Sequence, residues 1–350
     1  MAPRPDPPSA SVRRVARTSL LFLGVAALAG LVWWIGWPAV SQNLGRIGWW
    51  FVAIVAFFAL PEGAFVLGWR QVLLPRPPLS AVPGLAAAFL AGDTANYVGA
   101  GVAGEPLRAM LVRGAYGSAG AFASITLRKH AELAAQVLFL VVGVGFALAV
   151  FRLPGLLALA AVGGVLAIAA GLVLMTWALR RGSFSPILRR LAGWRALAAR
   201  LSRFHEGAED VDDAIRRFHD GHRARFAASA AWALAGWCGG WFETWLILRL
   251  LGVGAGWGQA LAIETLTMTL NTMLMLIPGR LGSAEAVRVG VFVALGLPAA
   301  SGVAYALVRR GREICWILAG AVVLFRRHAA SVLAPGSREN GGLPGAEVVR

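Results

Sequence analysis

The stretch AGAFASITLRKHAELAAQVLFLVVGVGFALAVF, residues 119–151, decides the fold. It exceeds the ~20 residues that a helix needs to cross a bilayer. Arg128, Lys129 and Glu132 nevertheless lie within it. An ionisable side chain in hydrocarbon costs at least ~2.5–3.5 kcal/mol on insertion scales, so acids buried like Glu132 normally face a partner or a watery cavity. Five more apolar blocks flank this one: Thr18 to Pro38, Ile47 to Trp69, Pro154 to Leu179, Phe226 to Leu250 and Ala299 to Phe325. The chain is 58% hydrophobic and 14% charged, against roughly 25% charged in soluble domains. It reads as an all-α polytopic membrane protein.

The formal charge of +16 is nearly all arginine, since Lys129 is the only lysine. These arginines cluster between apolar blocks. That is the pattern of positive-inside topology and not of nucleic-acid binding. Cys238 and Cys315 lie in apolar blocks, which excludes a disulfide framework or a Cys-rich metal site. Arg13, Arg14 and Arg17 precede an apolar run of about 20 residues with no clean cleavage site, so that run reads as a first transmembrane helix. Residues 1–17 read as a disordered cytoplasmic tail, 18–328 as the transmembrane domain and 329–350 as a second disordered tail.

Eleven arginines between 180 and 225 and the C-terminal Arg326, Arg327 and Arg338 place those segments in the cytoplasm. The uncharged turn 251–257 fits the outside. Segments 84–114 and 258–297 are rich in Gly, Pro and polar residues. The inside–outside count closes if each is a re-entrant hairpin. Six full crossings plus two hairpins result, or eight spans if the hairpin arms are counted. Residues 181–222 alternate apolar and charged positions at helical spacing and predict an amphipathic cytoplasmic linker on the membrane face. Within it, His219, Asp220 and His222 read as a solvated charged face and not as a metal cluster.

Of seventeen acidic residues, eight fall in apolar or hairpin segments: Glu62, Asp93, Glu105, Glu132, Glu243, Glu264, Glu285 and Glu313. Six of them repeat. Glu62 to Glu105 spans 43 residues and Glu243 to Glu285 spans 42; Glu62 to Glu132 and Glu243 to Glu313 both span 70. Glu105-Pro-Leu-Arg108 matches Glu285-Ala-Val-Arg288, each after glycines and an asparagine, Asn96 or Asn271. Arg128 with Glu132 matches Arg309 with Glu313. Two diverged copies, roughly 47–150 and 225–325, follow. Three crossings separate equivalent points, so the copies are inverted, as in many secondary transporters.

Spacings of three and four residues place Glu and Arg on one helix face, so each copy predicts a neutralised cluster of two Glu and two Arg. The planar guanidinium binds carboxylate or phosphate in two-point fashion, so a lipid phosphate can replace a Glu there. Such pairs also serve as pure architecture, and spacing does not separate the two roles. Glu62 and Glu243 have no arginine nearby in sequence and are the candidate proton carriers. The substrate or ion pathway would therefore involve Glu62, Asn96, Glu105, Arg108, Arg128, Glu132, Glu243, Asn271, Glu285, Arg288, Arg309 and Glu313. Thr265, Thr267 and Thr269 read as helix–helix hydrogen-bonding groups, and Trp33, Trp34, Trp37, Trp49 and Trp50 as an interfacial belt.

The hairpin Asn96-Tyr-Val-Gly-Ala-Gly-Val-Ala-Gly-Glu105-Pro-Leu-Arg108 and the stretch Ile277-Pro-Gly-Arg-Leu-Gly-Ser-Ala-Glu285, followed by Leu295-Gly-Leu-Pro298, resemble the lysylphosphatidylglycerol synthase/flippase transmembrane-domain family over about residues 15–328. Two positions depart from it: Val98 or Gly99 stands where a proline is common, and Arg280 where a small residue is usual. That family includes stand-alone flippase-like and hopanoid-biosynthesis-associated membrane proteins. The resemblance implies a lipid flippase or transporter without cofactor in the bacterial inner membrane, with both termini cytoplasmic. Its partners would be membrane lipids and lipid-biosynthesis enzymes. The competing reading is a non-catalytic accessory protein of a hopanoid or glycolipid biosynthetic complex. No enzyme activity is expected, because the family's soluble aminoacyl-transferase domain has no counterpart here. An intramembrane transferase would need a cluster peculiar to one half, whereas these charges are duplicated.

Overall fold

The computed structural model describes residues 37–98, 103–181, 209–273 and 283–333. Nearly all of the expected first crossing at 18–38, both tails, residues 182–208 and the Pro-Gly stretch at 277–282 lie outside them. In order, the helices are α1 (Trp37–Ile47), α2 (Trp50–Phe57), α3 (Ala59–Val72), α4 (Val82–Val98), α5 (Gly104–Val150), α6 (Gly155–Arg180), α7 (209–221), α8 (Arg223–Leu250), α9 (Trp257–Met273), α10 (Ser283–Ala294) and α11 (Ala299–Leu333).

Among the described residues, three helical stretches are long and apolar enough to cross a membrane: Trp50–Val72, Gly104–Val150 and Gly155–Arg180. The other two expected crossings fall in α8 and α11, which have the length, 28 and 35 residues. Their apolar character is diluted, by four tryptophans and Glu243 in α8 and by Arg309, Arg310, Arg312 and Glu313 in α11. The first stretch is broken at Phe58. Pro61 supplies no N–H to the Phe57 carbonyl and crowds it, and the helix restarts at Ala59 with Glu62 in its first turn. Trp49 and Trp50 at the start of this stretch are exposed, as an interfacial belt requires.

A run of elements recurs. α4 and α9 have 17 residues each, a rise of about 25 Å, short of the ~30 Å hydrocarbon core. Asn96 and Asn271 occupy the same place in them, third from the C-terminal end. A shorter arm follows, residues 104–116 or α10. Each shorter arm ends near a left-handed glycine, Gly117 (φ 67°) or Gly296 (φ 73°), a conformation that side-chain-bearing residues rarely adopt. Gly117 therefore splits α5 into two helices. A long helix then begins, 118–150 or α11.

The packing exchanges partners between these runs. α4 lies on α11, where Thr94 Oγ1 donates to the Ile317 carbonyl at 3.1 Å and a Cβ on Gly320 would strike Thr94. α9 lies on 118–150, where a Cβ on Gly143 would strike Thr265. α3 and α8 pack on each other in antiparallel sense: Pro61 meets Gly239, Phe65 meets Gly236 and Gly68 meets Ser229. Thr265 and Thr269, expected to bond between helices, donate instead to carbonyls of their own helix, Leu261 and Thr265, both at 2.8 Å. A threonine hydroxyl reaches the carbonyl four residues back without any partner helix.

The α7 part of the linker does not lie on lipid. Val211, Ile215 and Phe218 are buried in one cluster with Val66, Trp69, Leu73, Leu85 and Ile125, so its apolar stripe is covered by protein. Its histidines are no solvated face either. The His219 ring packs on His130 and Phe226, with centroids 6.1 and 5.5 Å apart, and His222 stacks on Phe218 at 5.4 Å. His130 Nε2 lies 2.9 Å from Thr176 Oγ1.

Two predictions follow from this packing. A Cβ on Gly104 would collide with the Gly92 carbonyl and Asn96, whereas one on Gly114 meets nothing. Gly104→Ala should lower the melting temperature in detergent, at a cost of about 1–3 kcal/mol, and Gly114→Ala should hold or raise it. Burial, opposed by Asp220 and reinforced by Arg180 and Arg223, holds the His219 imidazole below its ordinary value. The neutral ring is thus the docked form. Its contribution is complete above the ordinary histidine pKa and is lost as pH falls through the lowered one. Protection factors of the α7 amides, taken against the intrinsic exchange rate at each pH, should fall from about pH 7 to about pH 5, and His219→Phe should abolish that dependence. Equal protection factors at both pH values in the native chain would refute it.

Candidate functional site

The first hairpin is closed by its own side chain. Asn96 Oδ1 accepts the Gly104 N–H at 2.7 Å, capping the helix that carries Glu105 in its first turn. One turn on, Arg108 is almost fully buried and binds two carboxylates, Asp93 of α4 at 2.5 Å and Glu105 at 2.7 Å. Its Nε donates to the Phe89 carbonyl at 3.2 Å, and its plane lies 4.2 Å from the Phe89 ring. Gly92 makes room for it, since a Cβ there would overlap the Arg108 stem. Arg128, from the long helix, also binds two carboxylates, Glu105 at 2.7 Å and Glu132 at 2.5 Å. Lys129 reaches Glu132 at 3.0 Å and Glu105 at 3.3 Å. Three acids thus meet three bases, with Glu105 shared at the centre.

The second cluster is built from α8, α9, α10 and α11. Arg309 grips Glu264 through both terminal nitrogens, at 2.7 and 3.2 Å, and donates to Thr244 Oγ1 and Tyr305 Oη at 2.9 and 3.0 Å. Arg312 binds the fully buried Glu243 at 2.5 Å and lies 3.5 Å over the Phe58 ring. Arg310 pairs closely with Glu285 and reaches Glu313 at 3.0 Å. Arg288 is 3.3 Å from Glu313 and 3.8 Å from Glu285. Here four acids meet four bases.

The clusters touch. Tyr97, next to Asn96 at the end of α4, accepts a close hydrogen bond from Arg310 and lies 3.5 Å from Glu313. Glu62 on α3 feels the charges of Asp93, Arg108 and Glu132 of the first cluster and of Arg312 of the second. In the first cluster the arginine side chains are 2–4% accessible, while Asp93, Glu105 and Glu132 are 42%, 21% and 16% accessible. Carboxylates therefore line the open side and the guanidinium groups lie behind them.

The expected pairs Glu105–Arg108 and Arg128–Glu132 form, and Glu285–Arg288 forms loosely. Arg309 and Glu313 do not pair. One residue on a helix is 100° of turn, so Arg309 points to α9 and Glu264 while Arg310 takes Glu313. Glu243, which has no arginine close in sequence, has Arg312 in space. Asn271 is half-buried at the end of α9. Sequence spacing missed Asp93, Lys129, Glu264, Arg310 and Arg312 as cluster members, along with Tyr97, Thr244 and Tyr305. Only Asp93 left a local signal, standing one turn before Asn96.

The family model described as lysylphosphatidylglycerol synthase TM region matches residues 21–320. No curated protein and no solved structure matches the chain at a significant level. The match spans every residue of both clusters. The chain therefore belongs to the lysylphosphatidylglycerol synthase transmembrane-region family, a family of membrane proteins related to lipid handling.

Proposed function

We propose that the two recurring runs of helices are inverted repeats around a polar passage near mid-membrane. Through it the protein moves an amphipathic lipid, phosphate-bearing or of isoprenoid type, across the bacterial inner membrane. The observation that carries this reading is the pair of ion-pair clusters, one from each run, joined through Tyr97 and Arg310. Antiparallel packing of α3 on α8 supports inversion, because repeats related by an axis in the membrane plane bring equivalent helices together head to tail. The short arms of α4 and α9 support re-entrant hairpins beside six full crossings. The arginines of 180–225 support cytoplasmic ends.

The chemistry suits exchange. Arg108 and Arg128 each hold two carboxylates and share Glu105. A phosphate can therefore displace one acid from either arginine without leaving a bare guanidinium in a low-dielectric site, which would cost several kcal/mol. Two-point geometry favours phosphate as replacement.

Reconstitution in liposomes with headgroup-labelled lipids and a membrane-impermeant quencher tests this. Purified protein should expose inner-leaflet label. Glu105→Gln and Glu285→Gln should slow exposure about tenfold or more per folded molecule, the size of one lost charge-assisted contact, beside the lowered melting temperature that loss of a buried ion-pair partner brings. Unaltered rates in both variants would refute the site. Absence of movement for every headgroup tried would favour the accessory role in a lipid-biosynthetic complex.

A further inference from the structure

Among the described residues the charges of the two clusters balance, and one acid of the apolar segments is left over. Asp93, Glu105 and Glu132 face Arg108, Arg128 and Lys129; Glu243, Glu264, Glu285 and Glu313 face Arg288, Arg309, Arg310 and Arg312. The eighth acid, Glu62, has no ion pair and no side-chain hydrogen bond among the described residues. An unpaired carboxylate at membrane depth is costly and sheds its charge by taking a proton.

Its position is built. Pro61 interrupts the helix at this turn, and Phe58, one turn before Glu62, lies under the Arg312 guanidinium. The charged groups that face Glu62 come from three elements: Asp93 of α4, Arg108 and Glu132 of α5, and Arg312 of α11. α2 carries no charge. On α8, Glu243 is held by Arg312, and Arg225 lies at the far end of α3, on the Leu73 carbonyl at 2.7 Å. Arg70, the other ionisable group of α3, donates to the Pro77 carbonyl at 2.9 Å.

We propose that Glu62 is the protein's proton-binding site, holding one exchangeable proton at the junction of the two clusters. With the proton on, all eight acids and seven bases sum to zero. Loss of the proton to water in the polar space leaves a carboxylate that competes with Glu243 for Arg312 and with Asp93 and Glu105 for Arg108. Each arginine belongs to a different run of helices. One ionisation on α3 thereby pulls on both. If the lipid-transport reading holds, that proton is the coupling ion.

Infrared difference spectroscopy of the reconstituted full chain, as pH is varied from about 5 to about 9, reads the site without any transport. This span covers the values at which buried glutamates titrate. A protonated-carboxyl band should appear, vanish in Glu62→Gln and shift in Glu62→Asp, which keeps an acid should the amide variant fail to fold. Absence of a titrating band in the native chain, or its survival unchanged in both variants, overturns the proposal. The liposome assay forms the second arm. Lipid movement should follow pH in the native chain and lose that dependence in Glu62→Gln; an identical pH profile in both overturns the coupling. A band that behaves as expected in a protein that moves no lipid leaves the proton site standing and removes the transport reading alone.

Discussion

A bare charge cannot be left in hydrocarbon, and that constraint organises this molecule. The two clusters hold seven basic groups, and every one has a carboxylate within 4 Å. No single helix supplies both members of every pair. Arg108 needs Asp93 from another helix, Arg309 needs Glu264, and Arg312 needs Glu243. Pairing can only be completed by bringing hairpins and long helices to one place, so the electrostatic demand sets the tertiary arrangement.

The glycines make that arrangement possible. Carboxylate and guanidinium groups meet at 2.5–2.7 Å only if the backbones that carry them come close. Gly92 leaves the volume that Arg108 fills, and Gly104 lets the second arm touch the first. Apolar packing in such a chain supplies little preference for protein over lipid, so close backbone approach and polar contacts hold helices together. The stacking of Arg108 on Phe89 and of Arg312 on Phe58 adds an attractive surface to guanidinium groups whose hydrogen bonds are already in use.

Much of this was legible in the residues. Composition and apolar blocks point to a helical membrane protein, and the doubled Glu spacing marks two runs that recur as elements of matched length ending near Gly117 and Gly296. Pairs three or four residues apart on one helix, such as Glu105 with Arg108, follow from helix geometry alone. Asp93, Glu264, Arg310 and Arg312 did not yield to that logic. Their partners lie 15 to 69 residues away, on other helices. Matched spacing also misled: Arg309 follows Glu285 much as Arg128 follows Glu105, yet its guanidinium turns toward Glu264 and not toward Glu313. Over residues 209–221 the linker's stripe is a helix face as its spacing suggests, yet protein and not lipid covers it, because a stripe does not say what lies against it.

The exchanged docking of α4 on α11 and of α9 on residues 118–150 has a consequence for how the chain is made. α4 leaves the ribosome more than two hundred residues before the helix that covers it, as the Thr94–Ile317 bond records. Throughout that interval the insertion machinery or neighbouring lipid must shelter a polar surface that includes Thr94 and Tyr97. Assembly therefore completes only with the last helix, and the two halves mature together as one interlocked unit.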